Sequence, residues 1–195
     1  LAAGDAPAAE VAAAAAAAIP RHPSDYVLAG RAAQAMLAQS DPRAVKLVSR
    51  ALALNPASSP AHQLAARVLA RSQRPTQALV EYGLALAGAR DVRPLLDELL
   101  AAFPAPADAA RGMPVDPLPA ARILRFLETP ERRAIALAYA QRVAESSPHR
   151  AAAHSLLARV ALAQQRFDLA LPAATRAHEL APTAKWRVAG WETMR

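Results

Sequence analysis

Apolar residues recur along this chain at helical spacing, in short stretches broken by prolines and polar pairs. The clearest example runs from Ala151 to Pro182, AAAHSLLARVALAQQRFDLALPAATRAHELAP, where two amphipathic segments flank Gln164-Gln165-Arg166. Apolar positions three and four apart fall on one helix face, so this stretch predicts a helical hairpin. The hairpin recurs. Positions 34 residues before Ala158, Ala170, Ala177 and Pro182 hold Leu124, Ala136, Val143 and Pro148. Residues 61–79, AHQLAARVLARSQRPTQAL, also match 153–171, AHSLLARVALAQQRFDLAL, with His62 and His154, Arg67 and Arg159, and Ala78 and Ala170 in register. A hairpin of this kind cannot bury its apolar face alone, so the pattern predicts an all-α stack of hairpins.

Taken in order, the chain predicts a helix over about 7–19 and a break at Pro20-Arg21-His22-Pro23. A second helix, capped by Ser24 or Asp25, runs to about Gln39. Asp41-Pro42 restarts the chain, with Val45, Val48 and Leu52 at helical spacing, and Asn55-Pro56 stops it. Helices over 60–72 and 75–89 complete the next hairpin, with Pro75 at its usual place in a first turn. Residues 93–103 predict one more helix. Pro104, Pro106, Pro114, Pro117 and Pro119 then exclude a second helix of normal length. We expect an irregular interruption near 104–117, a bend between blocks of hairpins more than a surface loop, with room for a short turn at 107–111. Helices over 119–128 and 130–146 follow, then the hairpin of 151–182, in which Pro172 removes a backbone donor.

Small residues keep one phase through these hairpins. Ala32 and Ala66 in first helices, and Ala44 and Ala78, then Ala51 and Ala85, in second helices, each lie 34 residues apart. This phase, with a proline after the second helix, resembles the tetratricopeptide repeat family, in a divergent alanine- and arginine-rich form of bacterial type. Leu28, His62 and His154, and Val48 and Ala174, stand where the family usually carries larger or aromatic residues; Tyr82 keeps a ring. The resemblance implies a single right-handed α-solenoid over 1–195. Its parts would be a partial repeat at 1–23, repeats at 25–58 and 59–92, a degenerate repeat and loop at 93–116, repeats at 117–150 and 151–184, and a capping helix at 185–195 containing Trp186 and Trp191.

Composition narrows the function classes. The formal charge of +7 rests on arginine, since Lys46 and Lys185 are the only lysines. Such a balance permits acidic partners without identifying one. The shortage of lysine and aromatic residues argues against nucleic acid. Absence of cysteine excludes disulfides, thiolate metal sites and cysteine nucleophiles, and leaves the compartment open between cytoplasm and periplasm. The alanine run at 12–18 is too short and too weakly apolar for membrane insertion. Because the chain opens without methionine on what reads as a helix end, we expect a segment of a longer protein, with an exposed apolar front that a second copy could cover.

No P-loop, G-x-S-x-G, H-E-x-x-H or dinucleotide fingerprint occurs. His149 and His154 are five apart and so point to different helix faces, while His62 and His154 share one place in two hairpins, which predicts packing. The expectation is therefore a non-enzymatic chain with no cofactor and no metal. In the tetratricopeptide family the first helix of each hairpin lines a concave groove. By that resemblance Arg67, Arg125 and Arg159 occupy groove places, with Gln63, Arg71 and Ser155 beside them, and guanidinium groups there suit carboxylates or phosphates. The family's carboxylate clamps use groove asparagines, and this chain has only Asn55, in a turn. The function implied is a protein-interaction scaffold that binds a peptide or partner protein, with an acidic partner favoured by charge. The alternative is the repeat domain of a larger envelope protein for polysaccharide assembly or export, bound to an anionic glycan or a partner enzyme.

Overall fold

The structure, a computed structural model, describes residues 8–182 of the 195. The helix end expected at 1–5 and the capping helix expected at 185–195, with Trp186 and Trp191, lie outside the described residues. All regular structure among the described residues is helical. The chain forms two compact units, Leu1–Arg90 and Asp91–Arg195.

In the first unit α1 (Ala8–Ala18), α2 (Tyr26–Ala38), α3 (Ala44–Leu54), α4 (Ser59–Arg71) and α5 (Pro75–Gly88) follow one another. Each packs on the next, and α2 also touches α4. Asp25 starts α2 by accepting the amides of Val27 and Leu28 at 2.8 and 3.1 Å, which satisfies two donors that a helix start leaves open. Ser58 does the same for Ala61 at the start of α4. The aspartate at Asp41 acts one turn before its helix: it takes the Arg43 amide at 2.9 Å, and α3 begins at Ala44.

Helix ends follow two rules. At the turns after α2, α4 and, in the second unit, the helix Ala151–Ala163, the chain passes through one left-handed residue, Ser40, Gln73 and Gln165, with φ of 57°, 58° and 58°. The residue after each donates five places back, Asp41 to Met36, Arg74 to Leu69 and Arg166 to Ala161, all at 2.9 Å. These bonds, with the shorter ones from Ser40, Gln73 and Gln165 to Leu37, Ala70 and Leu162, define a Schellman turn made three times. The second rule belongs to proline. Asn55, Phe103, Ser147 and Ala181 each precede one and hold φ between −133° and −148°, because the following ring excludes the helical region.

The core is built largely from small side chains. Ala32, Ala44, Ala51, Ala66, Ala78 and Ala85 have no exposed surface, so the 34-residue phase marks where helices meet. Ala33, Val48, Leu64 and Ala65 form one cluster across α2, α3 and α4, and Ala12, Ala35, Met36 and Ala44 another across α1, α2 and α3. Each helix is thus shared between neighbours. Val45, expected with Val48 and Leu52 on the apolar face, is 48% exposed, while Val48 is buried.

The second unit comprises α6 (Arg93–Ala102), α7 (Pro106–Arg111), α8 (Pro117–Leu124), a 3-10 turn (Pro130–Arg132), α9 (Arg133–Ser146), α10 (Ala151–Ala163) and α11 (Phe167–Leu180). α10 and α11 pack together as the hairpin expected over 151–182, and α9 packs on α10. Pro172 sits inside α11, which runs on through it. The helix expected over 119–128 ends sooner, at Leu124, since Thr129 must be extended before Pro130 (φ −97°, ψ 153°). Asp116 caps its start through the Leu118 amide and pairs with Arg150 at 2.6 Å.

The proline-rich stretch is more ordered than its composition implies. Pro106 occupies the first turn of α7, where it loses no needed donor, and α7 packs against α9. Ala109, Ala110 and Met113 are buried. The Tyr139 hydroxyl donates to the Pro114 carbonyl at 2.7 Å, and the Arg142 guanidinium donates to the carbonyls of Ala110 and Met113 at 3.1 and 2.8 Å. A cation at the carbonyl end of α7 also complements the helix dipole.

Candidate functional site

Gln63, Arg67 and Arg71 lie on α4 in the first unit, and Ser155 and Arg159 lie on α10 in the second. Arg125 stands just past the end of α8. Arg71 is exposed but committed to backbone: its guanidinium donates to the carbonyl of Leu37 at 2.8 Å. Gln63 and Arg67 are partly buried and have interaction partners within the chain. Arg159 is exposed and faces Glu128 at 3.7 Å, an exposed pair of little energetic consequence. The Ser155 hydroxyl is buried without a hydrogen-bond partner. These six side chains therefore differ in how freely they can meet a ligand, and Arg125 is exposed with no bond or ion pair among the described residues.

Around Arg125 the second unit opens a cleft of about 430 Å³, lined by Arg93, Arg125, Phe126, Thr129, Glu131 and Arg132. Three elements place them. Arg93 is the first residue of α6, Arg125 and Phe126 follow α8, and the other three belong to the Thr129-Pro130-Glu131-Arg132 segment. Backbone bonds from Phe126 to Ile123 and from Leu127 to Leu124 tighten the end of α8, and Leu127 is fully buried. That anchor presents Arg125 and Phe126, one helical turn of chain outward, to the cleft.

The charges in the cleft are unequally committed. Arg132 pairs with Asp97 at 2.8 Å and also reaches the Phe126 carbonyl. The Glu131 carboxyl is held below the usual carboxylate range, chiefly by its own backbone N–H and the Thr129 hydroxyl, with Arg132 and Arg133 adding to the effect. It stays ionised at neutral pH, as an acid near a helix start should. The side chains of Arg93 and Arg125 have no partner among the described residues. Arginines elsewhere, such as Arg43, Arg150 and Arg166, each carry a carboxylate at 2.6 to 2.7 Å.

Sequence reasoning picked out Arg125 but not Arg93, Phe126 or Arg132. Arg93-Pro94 and Thr129-Pro130-Glu131 carry the signature of helix starts, and nothing in that signature announces that the two starts converge.

Two of the histidines are tied to backbone carbonyls. His62 and His154 direct Nε2 to the carbonyls of Pro56 and Pro148, six residues earlier, at 2.8 and 3.1 Å. His62 adds a 2.6 Å contact from Nδ1 to Glu81, which His154 lacks. Among the described residues no three acidic or histidine side chains are grouped to hold a metal ion, and no helix is long and apolar enough to cross a membrane. No protein-family model matches the chain, and no curated protein matches it.

Proposed function

We propose that each unit is built of tetratricopeptide-type hairpins in a right-handed α-solenoid arrangement, and that the chain is a non-catalytic scaffold for a peptide or partner protein. The observation that carries this reading is the Schellman turn made three times, at Ser40, Gln73 and Gln165. With the buried alanines at a 34-residue step, it gives the hairpins a common geometry. Repeated hairpins present long side-chain faces at their surface, and such faces serve recognition. The first helices would present them, through Gln63, Arg67 and Arg71 in one unit and Ser155 and Arg159 in the other, with Arg125 near the latter.

Site-specific photo-crosslinkers at positions 67 and 159, with mass spectrometry of the adducts, would identify the partner. Binding of that purified partner to an Arg67→Ala/Arg159→Ala variant then tests the face. A loss of tenfold or more is expected. Unchanged affinity would move the interface off the first helices, and absence of adducts at any surface position would remove the scaffold reading.

A further inference from the structure

We propose that the cleft between the start of α6, the end of α8 and the 3-10 turn is a docking site for one acidic side chain of a partner peptide, an aspartate or glutamate beside an apolar residue. The proposal rests on the scaffold reading and adds a second, separate contact to it.

Charge complementarity is the first argument. Of the four ionic groups lining the cleft, Arg132 and Glu131 are already satisfied, by Asp97 and by the Thr129 hydroxyl with the Glu131 amide. The two without partners among the described residues, Arg93 and Arg125, are both guanidinium groups. They offer planar donors suited to a carboxylate. The second argument is the apolar wall. Phe126 is 38% exposed on the same cleft, so its ring can cover an apolar neighbour of the bound acid and lower the dielectric around the ion pair.

The apolar wall decides the class of anion. Phe126 lies beside the two open guanidinium groups, and a carboxylate carried on a peptide brings an apolar neighbour to that ring, which a free phosphate does not. A volume of about 430 Å³ accepts one or two side chains. That size matches a peptide and excludes a folded domain as the occupant of the cleft itself.

The test uses the full chain and a fluorescein-labelled peptide of alternating glutamate and leucine, with a glutamine-for-glutamate twin, read by fluorescence anisotropy. The expected result is that the glutamate peptide binds and its twin does not, and that Arg93→Gln/Arg125→Gln weakens binding tenfold or more. Arg21→Gln/Arg31→Gln removes the same charge from exposed sites in the first unit and should leave binding within twofold. Equal loss in the two double variants would reduce the effect to net charge and overturn the site. Equal binding of the twin peptide would overturn the role of the carboxylate. Displacement by inorganic phosphate at the peptide's own concentration would overturn the peptide assignment in favour of a small oxyanion site. Circular dichroism of both double variants confirms that each is folded. Failure here with partner affinity still dependent on Arg67 and Arg159 would leave the scaffold reading standing.

Discussion

The Arg71 guanidinium donates to the backbone carbonyl of Leu37 at 2.8 Å, and the two residues are 34 apart. It therefore ties the end of α4 to the equivalent place at the end of α2, one repeat step earlier. The C-terminal carbonyls of a helix lack internal partners, and a cation there is favourable through the dipole as well. Arg71→Ala should destabilise the chain by about 0.5–1 kcal/mol, the usual range for a hydrogen bond open to solvent. Urea denaturation checks it, and an unshifted midpoint would mean that the bond does not persist in solution.

Glycine should improve the hairpin turns. Ser40, Gln73 and Gln165 occupy the left-handed region, which costs a residue with a Cβ about 1–2 kcal/mol. Glycine relieves that cost but loses more entropy on folding, so each substitution should gain roughly 0.5 kcal/mol. The three turns belong to three different hairpins, and the triple variant should add the single effects. Thermal unfolding of the three single variants and the triple one would show it.

The proline-rich segment should loosen when its two clasps are cut. Tyr139→Phe removes the donor to Pro114 inside a fully buried ring site, at a cost of about 1–2 kcal/mol. Met113→Ala empties a buried site and should cost about 2–4 kcal/mol. Hydrogen exchange at the amides of 109–116 should accelerate in both variants. Burial pushes the Tyr139 phenol up from its ordinary value, so the clasp itself persists through mildly alkaline pH.

Acid should weaken the fold through its exposed carboxylates. Asp41 and Asp168 are held below their ordinary value chiefly by the bidentate guanidinium groups of Arg43 and Arg166, and Asp116 by the Leu118 amide and then Arg150. Each binds its proton less readily when folded than when unfolded. Their contribution is complete above the ordinary value of 3.8 and is lost as pH falls through the lower folded values. Unfolding midpoints should be flat from about pH 5 to 8 and drop below about pH 4. Asp116→Asn keeps a capping oxygen and should flatten part of that drop.

The paired histidines should differ in weight. His62 is buried, bonded to Pro56 and in contact with Glu81; His154 is half-buried and among the described residues bonds to Pro148 only. His62→Ala should cost about 2–3 kcal/mol, since it strands a carboxylate and a carbonyl, and His154→Ala about 1 kcal/mol. Equal losses by chemical denaturation would mean that Glu81 finds another partner.

Local chemistry was legible along the chain because it depends on near neighbours. The cap at Asp25, and the extended residues before Pro56, Pro104, Pro148 and Pro182, follow from hydrogen bonding and ring sterics within a few residues. The alanine phase was legible too, because close helix approach demands small side chains wherever it occurs. Leu157 and Ala158 show where periodicity runs short: Ala158 is buried, but its neighbour Leu157 only borders the cluster of Ala158, Ala173 and Ala174. A helix face has edges, and spacing alone does not say which edge a neighbour covers.

Tertiary structure alone decided the rest. The proline count correctly excluded a long helix across 104–117, yet the short α7 and its burial depend on Tyr139 and Arg142, some 25 to 32 residues away. Whether an arginine is spent on a backbone carbonyl, as Arg71 is, or left open, as Arg93 and Arg125 are, depends likewise on which distant group lies within reach of a long side chain. The sequence by itself determined most of the helices and the small-residue phase at which they meet; the convergence of two proline-marked helix starts into one basic cleft arose from packing between segments that carry no sign of each other.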